Sequence, residues 1–314
     1  MDLCVMIEGQ EGVTWEQWRA LAAGCEQHGI PALFRSDHYL SVDERPGRGS
    51  LDALGTLCAL GAVTSTVRLG TLVSPATFRH PAVVAKLAVT ADHASGGRLE
   101  LGLGAGWFEA EHAAFGLPFP DTRTRMAMFA EHVEIVRGLC DEGTFRFAGE
   151  HYRLAGVDAQ PKPVQSRLPI VVGGGAGPRT VAVAARFADE YNTIYVTPDE
   201  ARTRRSRVAD AWRDAGRDPS TLRFSVMTGC LVARDEAELL ERAGRLAEQR
   251  GSGRSAREEL DAAPPAWIVG TVPAAAQRLR ALADAGVDRV MLQLHLHDDL
   301  DQLELIGRDL AAAL

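Results

Sequence analysis

Lysine is nearly missing from this chain. Lys86 and Lys162 stand alone against 32 arginines. One falls in a predicted helix and the other in an irregular stretch. No strand end therefore offers the lysine that Schiff-base lyases and aldolases need. Basic residues are also outnumbered, 34 to 42, for a formal charge of -8. That deficit excludes a broad nucleic-acid-binding surface, though not one local basic pocket. No apolar run of about 18 residues occurs, so no membrane span is expected. The stretch from Met1 to Glu8 has no basic segment leading into an apolar one and a small-residue cleavage site. A cytoplasmic location is the expectation. The five cysteines, Cys4, Cys25, Cys58, Cys140 and Cys230, are scattered and form no CxxC. They exclude a disulfide framework and a zinc knuckle, and read as small hydrophobes in packed elements. No HExxH, GxSxG or Gly-Lys-Ser/Thr loop is present. His295 and His297 alternate beside Asp298 and Asp299 but lack a third ligand from another strand, so no metal site is expected.

What remains is a chain of 314 residues with 46% hydrophobic content, ample for a large core. Short apolar runs alternate with amphipathic helical stretches. Strands are predicted at 3–8, 32–35, 67–73, 99–104, 170–172, 190–195, 222–232 and 289–293. Helices are predicted between them, the first opened by a Thr14–Gln17 capping box. Two stretches break the rhythm, at about 145–168 and 250–267. Eight βα units with two insertions are the arithmetic of an α/β fold, the (β/α)8 TIM barrel. The whole chain, 1–314, then forms one barrel domain, with the insertions expected over its C-terminal mouth. A doubly wound sheet would place a glycine fingerprint after strand one, where Glu8-Gly9-Gln10 offers none.

In a barrel the chemistry lies at the C-terminal strand ends. The strongest signal there is Gly173-Gly174-Gly175-Ala176-Gly177, followed by a helix from Pro178. Backbone N–H groups can converge on an anion in such a loop, with the helix dipole behind them and Arg179 and Thr180 as added donors. A phosphate-binding loop is one reading and a flexible turn the other. Gly102-Leu103-Gly104-Ala105-Gly106-Trp107 fails the dinucleotide pattern. Its glycines would let a flat ring lie against the strand, with Trp107 as a wall, or would serve close packing. Asp37-His38 offers an acid or base, because imidazole titrates near neutrality and a carboxylate can orient it.

These residues together resemble the bacterial luciferase-like monooxygenase superfamily, in its coenzyme F420-dependent oxidoreductase branch. The resemblance rests on Arg68 to Val73, Phe78 to Ala82, Ser95 to Trp107, Glu111 to Pro120, Pro169 to Gly175, Val269 to Thr271 and Ala285 to Arg289. It implies a barrel with a covered mouth, often a homodimer, and a deazaflavin or flavin in that mouth. It implies that Gly174, Gly175, Ala176 and Gly177 hold the cofactor phosphate. It places Asp37 and His38 near the reactive face, with the histidine handling a proton. It also implies a non-proline cis peptide at Leu72–Val73 behind the ring, beside Gly104, Ala105 and Gly106. Sugar-phosphate dehydrogenases of the F420 group carry an acidic Glu where this chain has Trp107, which disfavours that substrate. Trp107 and Phe108, with Tyr39, suggest an apolar substrate lobe. Specificity is expected from the loop 39–50 and from both insertions. The acidic tail of F420 would want cations such as Arg79, Arg123, Arg125 and Arg179.

Two mechanisms remain open on the residues alone. One is hydride transfer between F420 and a small-molecule substrate. The other is oxygenation by reduced FMN, with a reductase supplying the flavin. A non-catalytic barrel that serves as a binding protein is a third reading.

Overall fold

Eight strands in this chain are buried along most of their length, on both faces. Only a parallel sheet covered on one side by helices and closed on itself on the other can bury them. The computed structural model, which describes residues 1–42 and 45–314, shows that closure. Strand β1 (Asp2–Ile7) pairs in parallel with β2 (Ala32–Arg35) and with the last strand, β12 (Arg289–Leu294). Between them run β3 (Arg68–Thr71), β5 (Leu99–Gly104), β8 (Ile170–Gly173), β9 (Glu190–Ile194) and β10 (Arg223–Ala233). Each is parallel to its neighbours, so the eight form a closed (β/α)8 barrel. The short β4 (Ser74–Pro75) continues β3 and pairs with β5. The Leu72–Val73 peptide between β3 and β4 is cis, as the resemblance implied.

The helices start where the sequence signals said. Thr14 and Gln17 form both bonds of the capping box on α1 (Trp15–Gln27). Asp52 caps α2 (Ala53–Val63), and Pro81 opens α3 (Pro81–Ala94). A short α4 (Glu109–Phe115), which the sequence pattern did not single out, precedes α5 (Thr122–Cys140). Two hydrophobic layers result. Cys4, Met6, Phe34, Val171, Met227 and Met291 fill the barrel interior. Val5, Leu33, Leu69, Leu101 and Leu292 face the helices.

The two insertions go to different places. The hairpin of β6 (Phe145–Ala148) and β7 (Arg153–Val157) forms as expected. However, the 145–168 insertion does not cover the mouth. It joins the end of α5 to the start of β8, and such a connection lies at the N-terminal end of a barrel. Gln165 Nε2 donates to the carbonyl of Leu99, the first residue of β5, at 2.8 Å. Asp92, near the end of α3, accepts the N–H of Val164 at 2.7 Å. No residue of this insertion lines the large cavity.

The mouth is covered by a longer excursion than 250–267. Past the barrel, β10 pairs through Cys230 to Ala233 with β11 (Ile268–Thr271). The helices between those two strands come after α6 (Pro178–Phe187) and α7 (Pro198–Asp214). They are α8 (Glu236–Arg250) and α9 (Ala256–Asp261), the latter inside the stretch read as irregular. The barrel's own seventh helix is α10 (Val272–Asp284). The expected specificity loop 39–50 also borders the mouth, except that positions 43 and 44 lie outside the described residues.

Candidate active site

The strand ends enclose a cavity of about 1290 Å³. That exceeds the usual size of a small-ligand pocket, roughly 300–1,000 Å³, and leaves room for a cofactor and a substrate together. His38, Leu72, Val73, Gly104, Ala105, Gly106, Trp107, Phe108, Gly174 and Gly175 all line it. The sequence reading therefore brought ten of its residues to one place.

His38 is oriented by a carboxylate, but not by the expected one. Its Nδ1 lies 2.9 Å from Glu111 Oε2. An ionised carboxylate only accepts, so Nδ1–H donates, and in the neutral ring Nε2 keeps its lone pair. No protein bond to Nε2 exists among the described residues. Burial disfavours the imidazolium, yet the hydrogen bond and charge of Glu111 overcome it, and the pKa is raised above its usual value. Burial likewise opposes ionisation of Glu111. His38, with the backbone N–H groups of Leu40 and Tyr39, outweighs it and lowers that pKa. Glu111 sits in α4, 73 residues from His38. Its one sequence trace was the acidic-His pair after strand four.

Asp37 is fully buried and faces away from the cavity. It accepts from Arg79 Nη1 at 2.6 Å and Nη2 at 3.1 Å, and from Ser74 Oγ at 2.5 Å. This bidentate pair anchors the β2 end to the segment after β4, so Asp37 is a positioning residue and not part of the reacting pair. Tyr39 does not line the cavity either. Its hydroxyl donates to Asp52 at 2.8 Å, and its ring stacks on Phe78 at 5.1 Å. Successive residues leaving a strand point to opposite sides, which separates Asp37 and Tyr39 from His38.

Trp107 and Phe108 form an aromatic plate, 5.2 Å between centroids and 21° apart. Trp107 is 61% exposed, toward the cavity, while Phe108 is buried. His38 meets both rings edge-on. His112 Nδ1 lies 2.7 Å from the Phe108 carbonyl and fixes that turn. Gly104 and Gly106 are required here. A Cβ on Gly104 would stand 2.6 Å from Val73 Cγ2, and Gly106 has φ +81° with Thr77 Oγ1 in the way.

The glycine loop is only partly free for a ligand. Gly174 N–H donates to Asn192 O at 3.0 Å and Ala176 N–H to the Tyr191 hydroxyl at 2.8 Å. Ala176 is buried and lies outside the cavity, with φ +58°. It shapes the loop and does not touch its contents. Gly177 caps α6 with its backbone, and no side chain caps that helix. Its first-turn amides stay open, and Thr180 lines the cavity beside them. A Cβ at Gly175 would meet nothing within 4 Å. Arg179 is exposed and does not line the cavity.

The cations at the mouth are Arg45, Arg48, Arg204 and Arg250. None of Arg79, Arg123, Arg125 or Arg179 is among them. Arg204 reaches in from α7 and donates to Thr193 Oγ1 at 2.5 Å. The excursion contributes Trp267, on which His295 stacks at 4.4 Å. Burial pushes the His295 pKa down to about 3 and that of His297 to about 4. Among the described residues, no three His, Cys, Asp or Glu side chains come together to hold a metal ion. No described helix is long and apolar enough to cross a membrane.

The chain is similar to known proteins. An F420-dependent glucose-6-phosphate dehydrogenase of Nocardia farcinica is 29% identical over 314 residues, covering 94% of this chain and 92% of its own. One from Kineococcus radiotolerans is 36% identical over 172 residues, covering 54% of this chain and 50% of its own. Among solved structures, an F420-dependent secondary alcohol dehydrogenase bound to an F420–acetone adduct superposes with a TM-score of 0.80 at 19% identity, over 100% of both chains. The F420-dependent tetrahydromethanopterin reductase of Methanopyrus kandleri gives 0.81 at 20% identity, over 99% of both. At that identity these two share the fold. The luciferase-like monooxygenase family profile matches residues 4–289, and the chain belongs to that family.

Proposed function

We propose that this protein is a coenzyme F420-dependent oxidoreductase that moves a hydride between the deazaflavin and a small, largely apolar organic substrate. One observation carries the reading. An oriented imidazole, an uncapped glycine-rich helix start and a glycine-lined slot all open into the same cavity. The F420-dependent dehydrogenases among the relatives support the choice of cofactor.

The residues fit such a group. Open space at Gly175, the free amides of α6, Thr180 and Arg204 suit a phosphate. Leu72, Val73 and the stretch from Gly104 to Gly106 offer a wall with few side chains to a flat ring. When bound, F420 supplies a two-electron hydride acceptor or donor. The chain's own residues do the rest. His38 Nε2 takes a proton from the substrate or returns one to it, according to direction. Glu111 holds the ring in the tautomer that leaves Nε2 open. Trp107 and Phe108 exclude water and give the substrate an apolar face. Trp107 replaces the acid that the resemblance assigns to sugar-phosphate dehydrogenases, which argues for a substrate other than the one in the relatives' names. The same reading takes the protein as a cytoplasmic homodimer, with a reductase supplying reduced cofactor when hydride flows to the substrate. Sedimentation velocity tests the dimer.

Fluorescence titration of the purified protein with oxidised F420 and with FMN tests the function. F420 is expected to bind saturably. Gly175→Asp meets no steric obstacle but sets a negative charge where the phosphate would lie. It is expected to weaken binding by about 100-fold or more. FMN binding with the same loss would redirect the protein to flavin oxygenation, and binding of neither would overturn the reading.

A further inference from the structure

Three carboxylates line the cavity: Glu8, Glu11 and Glu111. Two are already engaged by positive or polarised groups. Glu111 is bonded to His38 and to backbone N–H groups. Glu11 pairs with Arg48 and accepts from Ser41 and the Val42 N–H. Glu8 differs. It stands just past β1, and no Arg or Lys forms an ion pair with it among the described residues. The arginines at the mouth have other partners: Arg45 donates to the carbonyls of Gln249 and Arg250, Arg48 pairs with Glu11, Arg250 with Glu259, and Arg204 donates to Thr193.

Glu8 is nevertheless held rigidly. Gln293 Nε2 donates to its Oε1 and Gln10 Nε2 to its Oε2, both at 2.7 Å. Each amide is fixed from behind by a hydroxyl. Tyr195 Oη donates to Gln293 Oε1 at 2.5 Å, and Ser36 Oγ donates to Gln10 Oε1 at 2.5 Å. Turning either amide over would set its oxygen against a Glu8 oxygen. Glu8 therefore receives two neutral donors, where a carboxylate can accept about four hydrogen bonds. Glu8 lines the cavity, so that remaining capacity is within reach of a ligand there. Two neutral donors leave acceptor positions on Glu8 that a cationic donor can fill.

On the oxidoreductase reading above, we propose that Glu8 selects the substrate, binding a protonated amine whose apolar body lies against Trp107 and Phe108. The relay of Gln10 and Gln293 presets the carboxylate as an acceptor. Charge-assisted bonds are about twice as strong as neutral ones, so an ammonium should outcompete a hydroxyl there. The site is also near enough to His38 for Glu8 to stabilise its imidazolium. A bound cation would therefore sit beside the nitrogen that handles the proton.

Calorimetric titration of the F420-loaded protein with benzylamine, benzyl alcohol and benzoate tests this. Benzylamine is expected to bind about tenfold or more tightly than benzyl alcohol, with benzoate weakest. Glu8→Gln should erase the preference for the amine, and Glu8→Asp should keep part of it. Equal binding of amine and alcohol to the wild-type protein overturns the proposal without recourse to any variant. So does tightest binding of benzoate, a preference that survives Glu8→Gln, or no binding of benzylamine at millimolar concentration. If F420 itself does not bind, the titration is run on the protein alone. A Glu8-dependent amine preference would then stand while the oxidoreductase reading fell.

Discussion

The two ends of the barrel use the same kinds of side chain to opposite effect. At the N-terminal end, Arg289 of β12 lies between Glu100 of β5 and Glu190 of β9. Its Nη2 is 2.5 Å from Glu100 and 2.6 Å from Glu190, and Arg68 adds a second cation to Glu100 at 2.5 Å. Burial opposes ionisation of Glu100, but the two guanidiniums overcome it and hold the carboxyl at about 2. Burial, helped by the charge of Glu100, pushes the Glu190 carboxyl up against the pull of Arg289. All three residues of the cluster proper are buried, and none lines the cavity. At the C-terminal end, Glu111 satisfies one nitrogen of His38 and leaves the other open to a ligand. Burial and charge are common to both ends. What marks the reactive end is an unfilled hydrogen-bonding position that faces a cavity.

The comparison breaks first, if it is wrong, at Arg289. Arg289→Met leaves two buried carboxylates without their shared cation. It is expected to lose about 3–5 kcal/mol in urea unfolding. The triple variant Arg289→Met, Glu100→Leu, Glu190→Leu should recover most of that, because an apolar cluster of similar volume needs no counter-ion. A loss below about 1 kcal/mol in Arg289→Met would mean that the cluster contributes no more than a surface ion pair.

A smaller effect is expected at the open end, on rate and not on stability. Glu111→Gln removes the charge that raises the His38 pKa while keeping a hydrogen-bond acceptor. Turnover should fall about 10- to 100-fold, the size typical of an orienting partner. The pH profile supplies the sign. In the direction that needs neutral His38 as base, wild-type activity rises as pH climbs through the raised pKa. In Glu111→Gln that rise should move to lower pH. A rate loss with an unmoved pH limb would reduce Glu111 to a prop for the Tyr39–Leu40 backbone.

Much of this was legible in the sequence, and the exceptions share a cause. Most barrel strands could be read because both of their faces are buried, which leaves short apolar runs, although β9 carries Glu190, Asn192 and Thr193. The glycine loop was readable because backbone chemistry needs no knowledge of distant partners. Pairings were not. Asp37 precedes His38 in sequence, but strand alternation sends it to Arg79. Glu111 reaches His38 only through the closure of the barrel. Glu8 looked like the mere end of a strand that lacked a dinucleotide loop. The insertion at 145–168 lies at the end opposite to the one expected, and its order along the chain already says so. It follows a helix and precedes a strand, and such connections belong to the N-terminal face.

A third kind of buried titratable group sharpens the contrast, with the smallest expected effect. His132 of α5 is fully buried, and neither of its ring nitrogens has a partner among the described residues. It meets Tyr152 edge-on at 6.5 Å. Burial, with His80 adding, pushes its pKa down to about 3. The unfolded chain binds this proton near pH 6.5, so the unfolded state gains protons first as pH falls. Stability from this site is intact above about 6.5 and drains away as pH drops toward 3. His132→Leu removes two unpaired polar atoms and the titration together. At about pH 7 its stability should lie within about 1 kcal/mol of the wild type or above it. Between about pH 6.5 and 4.5 its loss of stability, followed by urea midpoints, should be shallower. His295 and His297 are depressed in the same direction and titrate on in the variant, so the slope should shrink and not vanish. An unchanged slope would mean that His132 is protonated or bonded in the fold. It would then belong with the satisfied groups of the closed end, and burial without a partner would have no example left among these three sites.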